Sequence, residues 1–302
     1  MVENATHKAL ADLGTVVRYD VPLAQYTTYG VGGPADALVE PRTPEDLARA
    51  LHTIATAEIP LTLLGAGTNI CIADRGIRGA VLRLADNYDR VTVDGTMVTA
   101  LAGTPIGRLS RECADRGLAG LEFACSIPGS MGGGVVMNCG AMGGEVKDVF
   151  LRAEAFEMDG EPVHLDRAEM EFGYRWSILR ARPLIVSEVT FQLTPSDRDT
   201  VWAEINRLDE KRYARQPKDP PCGGSVFKNP PGMFARVLLL DAGAMEITIG
   251  GARVCDQHAN FVINTGGATA HDIRAVIEQM RELVKEKFAV ELELENEFVG
   301  EW

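Results

Sequence analysis

Hydrophobic and polar positions alternate in short runs through the first two hundred residues, which predicts many short strands separated by few helices. Thr43-Pro44 begins one predicted helix, with Thr43 as the N-cap and Pro44 at the first helical position. Thr104-Pro105 begins a second helix, which Gly117 ends. The dipeptide Asp159-Gly160 favours a two-residue hairpin turn. Strands are predicted at residues 37–39, 61–64, 80–84, 97–102, 152–158, 162–165 and 184–193.

The pattern changes after Ser196. A charged helix is predicted to run to Arg215, and the proline-rich segment 216–221 follows it directly. Prolines exclude both a helix and a central strand there, so we interpret this segment as a domain junction. The remaining chain is predicted to form a helix near 233–242, a strand at 259–264, a helix at 269–288 and a strand at 291–299.

Composition and charge narrow the possible functions. The 302 residues are 46% hydrophobic and 24% charged, which is typical of a globular protein with two or three packed units. Neither a signal peptide nor an apolar run long enough to span a bilayer is visible, so a cytoplasmic location is expected. Six cysteines without a Cys-x-x-Cys pair indicate free thiols rather than disulfides or a zinc site. A net charge of −13 opposes binding to nucleic acids or anionic membranes, so an anionic ligand must be held locally by backbone amides or a few arginines.

A first glycine loop, Gly65-Ala66-Gly67-Thr68-Asn69, follows the strand predicted at 61–64. It does not match the dinucleotide fingerprint Gly-x-Gly-x-x-Gly, because position 70 is Ile70 and residues 71–76 have no helical pattern. A nest of backbone N–H groups around a phosphate and an ordinary tight turn between strands both remain open.

A second loop, residues 126–134, is rich in glycine and serine and is bounded by the apolar segments 121–123 and 135–137. Ordering glycines costs conformational entropy without burying side chains, so such a run indicates a ligand lying against the backbone. One flat, anionic dinucleotide would use both loops without requiring net positive charge. A flexible surface linker is the alternative.

Four motifs carry a family resemblance: 27–35, 65–69, 127–133 and Gly173-Tyr174-Arg175-Trp176-Ser177. In this order, over about residues 20–300, they resemble the UDP-N-acetylenolpyruvoylglucosamine reductase (UDP-N-acetylmuramate dehydrogenase) family. The resemblance implies an α+β fold with an FAD-binding domain of the vanillyl-alcohol-oxidase (PCMH) type at 20–200, in two subdomains of about 20–85 and 86–200. A smaller α+β substrate domain is implied at 201–302. It also implies the shorter form of the enzyme, which lacks an extra tyrosine-bearing loop.

The same resemblance implies an activity. NADPH would reduce non-covalently bound FAD, which would then reduce UDP-N-acetylglucosamine enolpyruvate to UDP-N-acetylmuramate, a cytoplasmic step of peptidoglycan precursor synthesis. The expected partner is this nucleotide sugar, with no nucleic acid, membrane or obligatory protein partner. By motif position, the implied FAD-binding residues are Gly65, Ala66, Gly67, Thr68, Asn69, Ser126, Ile127, Pro128, Gly129, Ser130, Gly132 and Gly133.

Reduction of an enol ether requires a hydride, a proton and stabilisation of the enolate-like carboxylate. Arg175 suits the carboxylate because its guanidinium is planar and bidentate, although arginines beside aromatic residues also stack on protein surfaces. Ser225 lies between glycines and Phe227-Lys228-Asn229-Pro230, a placement that exposes its hydroxyl as a proton donor if Lys228 or a water stabilises the alkoxide. None of the five histidines lies in a nucleophile-elbow context, and His258 is interpreted as a packing residue.

The predicted last strand alternates glutamates with other residues, so its four glutamates share one face, as in a solvated edge. The resemblance selects Glu295, five residues before Gly300, as the catalytic glutamate. The sequence Glu295-Asn296-Glu297 replaces the usual Glu-Val-Arg, so a shift of register to Glu293 or Glu297 stays open. Substrate contacts are implied, by motif position, for Tyr174, Arg215, Lys228 and Asn229, and Arg215 would equally cap its helix.

The sequence leaves two other functions open. The first is a flavin-linked oxidase of the same superfamily that acts on an alcohol or sugar. The glycine loops lack a His or Cys suited to tether FAD, which counts against it. The second is a non-catalytic protein that binds a nucleotide sugar, which would carry no flavin.

Overall fold

The structure is a computed structural model that describes residues 5–11, 13 and 16–302. The helices are α1 (Ala5–Leu10), α2 (Pro44–Thr56), α3 (Ile106–Asp115), α4 (Met131–Val136), α5 (Val146–Val149), α6 (Arg198–Tyr213), α7 (Ala235–Ala242) and α8 (Ala270–Phe288). The strands are β1 (Val16–Pro22), β2 (Pro34–Glu40), β3 (Leu61–Leu64), β4 (Ile70–Ile72), β5 (Ile77–Arg83), β6 (Val91–Asp94), β7 (Met97–Leu101), β8 (Leu118–Ala119), β9 (Gly140–Ala141), β10 (Gly144–Glu145), β11 (Phe150–Phe156), β12 (Pro162–Asp166), β13 (Ile185–Gln192), β14 (Thr194–Pro195), β15 (Thr248–Ile249), β16 (Ala252–Cys255), β17 (His258–Asn264) and β18 (Glu297–Val299).

The chain forms two compact units. The first unit contains the N-terminal residues up to Tyr19 together with 36–66 and 79–212, and the second contains 20–35, 67–78 and 213–302. The second unit therefore combines two early segments with the C-terminal ninety residues. The predicted domains, 20–200 and 201–302, are continuous in sequence and stay a prediction.

The first unit is built around two sheets that share a large hydrophobic core. A four-stranded sheet has the order β1-β2-β5-β3, and a five-stranded sheet has the order β12-β11-β13-β7-β6. Helix α2 packs Leu47, Leu51 and Ile54 into this core, and the Thr43 side chain accepts a hydrogen bond from Asp46 N at 3.2 Å. The predicted start of this helix is confirmed, as are the strands predicted at 61–64 and 97–102.

The hairpin of β11 and β12 has a longer loop than predicted. Glu157 N donates to Glu161 O at 2.8 Å, so three residues, 158–160, form the turn. Gly160 adopts a left-handed φ of 92° at its last position. The prediction of a two-residue turn at Asp159-Gly160 was wrong, because a single left-handed glycine suits a three-residue loop with a bulge.

The second unit contains the antiparallel sheet β15-β16-β17 and, separately, a parallel pair of β4 and β18. Its core includes buried residues of α7, α8 and β17. Helix α8 begins with a capping box in which the Thr269 side chain accepts from Asp272 N at 3.0 Å and Asp272 accepts from Thr269 N at 3.0 Å. Both ends of this helix lie where the sequence predicted them.

Two predicted boundaries were wrong. Helix α6 ends at Tyr213 rather than Arg215. The last strand covers only Glu297–Val299, because the chain before it pairs with residues 226–228: Lys228 N donates to Glu293 O at 2.9 Å, and Glu295 N donates to Val226 O at 2.8 Å. The alternation of glutamates with other residues at 291–297 therefore indicated an extended segment rather than a regular strand.

All six cysteines are free thiols, and burial raises the pKa of Cys71 and Cys113 to about 12. Among residues 5–11, 13 and 16–302, no helix combines the length and apolarity that a bilayer crossing requires.

The capping box of α8 gives the first prediction. Thr269→Ala should lower the free energy of unfolding by about 1 kcal/mol, because the N–H of Asp272 loses its acceptor. Denaturant unfolding of the full chain, followed by circular dichroism, measures this loss. Thr269→Ser keeps the oxygen and serves as the control. An alanine variant as stable as the serine variant would contradict the role of this cap.

Candidate functional site

Arg175 lies in a tight turn of the first unit. Gly173 N donates to Trp176 O at 3.0 Å and Trp176 N donates to Gly173 O at 3.2 Å, which leaves Tyr174 and Arg175 at the tip. Arg175 has a φ of 53°, an unfavourable conformation for a residue with a long side chain. Such strain is typical of positions where the surrounding structure holds a functional residue in place.

Asn138 holds this turn. Its side chain is fully buried, and its Nδ2 donates to Gly173 O at 2.9 Å and to Glu145 Oε2 at 3.0 Å. Its Oδ1 accepts from Lys147 N at 3.0 Å. Ser177 Oγ donates to Val136 O at 2.7 Å, which ties the far side of the turn to the end of α4. The site candidates drawn from the sequence did not include Asn138. An asparagine shortly after a short helical run favours a left-handed cap, and Asn138 has a φ of 42°.

The Arg175 guanidinium makes two contacts within the first unit. Its Nη2 donates to Gly140 O at 3.3 Å, and its Cζ lies 5.2 Å from the centre of the Tyr174 ring. Tyr174 is 47% exposed, so this cation–π pair lies at the surface. The stacking interpretation of Arg175 is thus observed, and it is compatible with a carboxylate-binding role because Arg175 is only partly buried.

The two glycine loops meet in the first unit. A Cβ added to Gly65 would lie 2.6 Å from Ser130 Oγ, so a larger residue at position 65 would displace this hydroxyl. The second loop is fixed to the end of β7 and the start of α3: Gly132 N donates to Ala102 O at 2.7 Å, and Ile106 N donates to Gly129 O at 3.0 Å. The flexible-linker interpretation of 126–134 was therefore wrong.

The first glycine loop connects β3 to β4, so it is a turn between strands. Gly65 and Ala66 belong to the first unit, and Gly67, Thr68 and Asn69 belong to the second. In the second unit, a Cβ on Gly67 would lie 1.9 Å from Tyr26 O. Both ends of the Asn69 side-chain amide are engaged: Nδ2 donates to Glu295 O at 2.8 Å, and Oδ1 accepts from Asn296 Nδ2 at 2.8 Å.

This arrangement in the first unit fits a flat dinucleotide. Gly133 is exposed, and a Cβ built on it would meet Ser130 Oγ at 3.7 Å and, outside its own helix, nothing closer. Gly133 therefore leaves an exposed surface on which a ligand can approach the backbone, whereas Gly65 and Gly132 allow close packing within the first unit. FAD is compatible with these residues.

Ser225 lies in the second unit, on a segment that Asn260 holds. Asn260 Oδ1 accepts from Phe227 N at 3.0 Å, its Nδ2 donates to Phe227 O at 2.9 Å, and its main-chain oxygen accepts from Val226 N at 2.9 Å. Val226 and Phe227 are buried whereas Ser225 is partly exposed. Partial exposure of Ser225 is compatible with the predicted accessibility of its hydroxyl, which stays a prediction.

His258 supports Asn260 rather than Ser225. Its Nδ1 accepts from Asn260 N at 3.3 Å, and its ring packs edge-on against Phe261 at 4.8 Å. Burial, together with the positive charge of Arg236, lowers the pKa of His258 to about 4, so the imidazole is neutral at pH 7 and can accept this hydrogen bond. The histidine therefore has a packing and positioning role, as the sequence indicated.

Glu295 differs from the other glutamates near the C-terminus. It is half-buried, whereas Glu291, Glu293 and Glu297 are exposed. Glu293 pairs with Lys228, and Glu291 pairs with Lys285 at 3.0 Å. Within the second unit Glu295 lies beside the Ser225 segment, because its N–H donates to Val226 O. These contacts favour Glu295 over its neighbours as the functional glutamate.

The remaining candidates for substrate binding lie in different parts of the structure. Lys228 forms an ion pair with Glu293, and Asn229 Oδ1 accepts from Ala235 N, the first residue of α7, at 3.0 Å. Arg215 is exposed two residues beyond α6. Tyr174 and Arg175 belong to the first unit. The other candidates belong to the second unit: Ser225, Glu295, Lys228, Asn229 and Arg215.

Comparison with known proteins adds family relationships to this geometry. A family model described as "FAD binding domain" matches residues 35–166, and one described as "UDP-N-acetylenolpyruvoylglucosamine reductase, C-terminal domain" matches residues 216–299. The predicted fold, an FAD-binding domain followed by an α+β C-terminal domain, is confirmed. The chain also resembles a solved structure of Physcomitrella patens BBE-like 1, with a TM-score of 0.51 and 17% identity over 63% of this chain and 44% of that chain, which is a likeness of fold alone.

Proteins that match nearly the whole chain are more similar to it in sequence. The UDP-N-acetylenolpyruvoylglucosamine reductase of Geobacillus thermodenitrificans is 44% identical over 93% of this chain and 92% of its own, and that of Lachnoclostridium phytofermentans is 40% identical over the same shares. The solved structure of the Thermus caldophilus reductase has a TM-score of 0.81 and 35% identity, and the match covers 94% of this chain and all of that chain. The chain therefore belongs to the UDP-N-acetylenolpyruvoylglucosamine reductase family.

Proposed function

We propose that this chain reduces UDP-N-acetylglucosamine enolpyruvate to UDP-N-acetylmuramate with NADPH and bound FAD, a step of peptidoglycan precursor synthesis. The observation that carries the proposal is identity of 40–44% to reductases of this name over 93% of the chain. When bound, FAD accepts a hydride from NADPH and supplies it to the substrate. The residues that would hold FAD are Gly65, Ala66, Gly67, Thr68, Asn69, Ser126, Ile127, Pro128, Gly129, Ser130, Gly132 and Gly133.

Arg175 binds the carboxylate of the enolpyruvyl group. The guanidinium offers paired N–H donors, which match a carboxylate in a bidentate way that a lysine cannot reproduce. Negative charge builds up on this group when hydride reaches the neighbouring C3 carbon, so a fixed cation stabilises the transition state more than the ground state. The strained turn and its anchor Asn138 support this role, because they hold Arg175 before substrate arrives.

Ser225 donates the proton that C2 of the substrate requires. Ser225 is partly exposed on a segment whose next residues are held by Asn260, which supports a role for its hydroxyl as a donor. A free serine is a weak acid, and proton transfer requires stabilisation of the alkoxide that remains. Water returns the proton after the reaction. Lys228 is paired with Glu293, so a bound water is the stronger candidate for stabilising the alkoxide.

Glu295 stabilises the enolate together with Arg175. A carboxyl group does this by donating a hydrogen bond, so the role requires the protonated form of Glu295 when the enolate develops. Tyr174, Arg215, Lys228 and Asn229 contact the nucleotide sugar. We place these contacts in the C-terminal substrate domain, except for that of Tyr174.

The reaction takes place in the cytoplasm with no nucleic acid, membrane or obligatory protein partner. The net charge of −13 supports the absence of nucleic-acid binding, because phosphate backbones require clustered basic residues.

A visible spectrum tests the function against its two rivals. The purified chain should absorb near about 450 nm, lose this band on anaerobic addition of NADPH and regain it when UDP-N-acetylglucosamine enolpyruvate is added. An oxidase would lose the band with an alcohol or sugar and regain it with oxygen. A binding protein without catalysis would be colourless. Either of the last two results would overturn the proposed function.

Ser225→Ala separates proton donation from hydride supply. Reoxidation of the reduced flavin by substrate should slow by about 100-fold or more, because a positioned general acid contributes this much. Reduction of the flavin by NADPH should be unchanged, since that step requires no proton from Ser225. Stopped-flow absorbance measures both steps. Equal losses in the two steps would remove Ser225 from the proposed role.

Three variants decide the register of the glutamate. Glu295→Ala should lower kcat by about 100-fold, as expected for loss of one donor to a developing oxyanion, whereas Glu293→Ala and Glu297→Ala should stay within about threefold of the unchanged enzyme. Glu295→Gln keeps an N–H donor and should retain more activity than Glu295→Ala. A large loss in the Glu293 or Glu297 variant alone would move the role to that residue.

A further inference from the structure

One buried amide joins three distant segments of the second unit. Asn296 is 3% exposed, and its Nδ2 lies 2.8 Å from Gly223 O, 2.8 Å from Asn69 Oδ1 and 3.3 Å from Ser225 O. Its Oδ1 accepts a hydrogen bond from the Tyr29 hydroxyl at 2.7 Å. The side chain of Asn296 therefore contacts both ends of the segment 223–225, which carries Ser225.

Only one orientation of this amide satisfies its neighbours. The main-chain oxygens of Gly223 and Ser225 can only accept, so the NH₂ group must face them. The oxygen then faces Tyr29, which is fully buried. Burial raises the pKa of Tyr29 well above its usual range, so its hydroxyl stays protonated and donates. An aliphatic side chain at position 296 would leave these buried groups without partners.

Asn69 extends the arrangement to Glu295. Its Oδ1 accepts from Asn296 Nδ2, and its own Nδ2 donates to Glu295 O at 2.8 Å. The N–H of Glu295 donates to Val226 O at 2.8 Å, directly after Ser225. The backbone at Ser225 and at Glu295 is thus fixed by one connected set of hydrogen bonds, with Asn296 at its centre.

The packing of Gly223 explains why residues 223 and 224 depend on Asn296 for side-chain support. A Cβ on Gly223 would lie 2.2 Å from Cε2 of the Tyr29 ring, so the main chain lies flat on that ring. Gly224 follows with a left-handed φ of 76°. Neither residue has a side chain that could hold the segment, so hydrogen bonds from Asn296 restrict it.

We propose that Asn296 is a positioning residue for the reduction: its amide holds the segment 223–225 and Glu295 in the mutual arrangement that proton transfer to the substrate requires. The inference rests on the proposed function, because Asn296 acts through Ser225 and Glu295. It contacts neither substrate nor FAD in this role.

Asn296→Asp tests the role with the smallest change of shape. It replaces the NH₂ group by an oxygen that faces Gly223 O, Ser225 O and Asn69 Oδ1, so all three contacts become repulsive. In the flavin-loaded enzyme, reoxidation by substrate should slow at least about tenfold at about pH 8, while flavin reduction by NADPH stays within about twofold. Lowering the pH to about 6 should restore part of the rate, because burial raises the pKa of an aspartate and its protonated form regains one donor.

Two matched variants complete the experiment. Asn296→Val cannot be protonated, so its reoxidation should be slow at both pH values. Asn264→Asp makes the same chemical change at an asparagine of the same unit whose Nδ2 donates to Tyr29 O at 2.9 Å, and it should leave both flavin steps unchanged. Hydrogen–deuterium exchange of residues 223–227 in each full-length variant gives a readout that does not depend on activity. Exchange should be faster in both Asn296 variants than in Asn264→Asp.

The outcomes separate this proposal from the proposed function. Unchanged exchange in the Asn296 variants overturns the positioning role whatever the enzyme does. Equal slowing of both flavin steps, or equal slowing in Asn264→Asp, also overturns it, because the effect would then be one of general stability. Failure of the unsubstituted enzyme to reoxidise with substrate overturns the proposed function itself, and with it the role of Asn296 in that reaction.

Discussion

Irregular backbone that is buried must find hydrogen-bond partners outside helices and sheets, and this constraint governs both segments that carry the proposed chemistry. Asn138 supplies the donor for Gly173 O at the Arg175 turn. Asn260 supplies both a donor and an acceptor to Phe227, and Asn296 supplies donors to Gly223 O and Ser225 O. Each unsatisfied buried group would cost about 1–3 kcal/mol, so these asparagines maintain conformations that regular structure cannot.

Both units also contain glycines at which the main chain packs directly against another residue. Gly65 lies against Ser130 in the first unit, and Gly223 lies against the Tyr29 ring in the second. A side chain at position 223 would push the loop away from the Tyr29 ring, and one at position 65 would displace the Ser130 hydroxyl. The glycines in these loops are therefore required for contacts within each unit, in addition to any contact with FAD.

The sequence predicted elements well where the determining interactions are local. Helices α2 and α8 begin where Thr43 and Thr269 cap them, because a cap joins residues three positions apart. The predicted last strand was wrong for the opposite reason. Alternating residues at 291–296 indicate extended backbone, but its pairing depends on Val226 and Asn69, which are distant in sequence.

The candidate site shows the same difference between local patterns and contacts between distant residues. Ser225, Arg175 and Glu295 were proposed from motifs, which carry family information along the chain, and their roles stay predictions. The motifs did not indicate Asn138, Asn260 or the hydrogen bonds of Asn296. The contacts of Asn138 with Glu145 and Lys147 are local, but the other partners of these side chains lie 33 to 267 residues away along the chain. A single asparagine in a sequence gives no indication of which distant carbonyl it will meet.

Neutral donors also resolve an electrostatic difficulty of this chain. A protein with a net charge of −13 has to bind a dinucleotide cofactor and a nucleotide sugar, both anionic. Backbone N–H groups and side-chain amides attract anions without adding cations, provided that they are held in one orientation. Holding these donors in one orientation requires rigid loops, and the buried asparagines provide that rigidity. Arg175 is the cation that we propose for the substrate carboxylate, where negative charge would increase during the reaction.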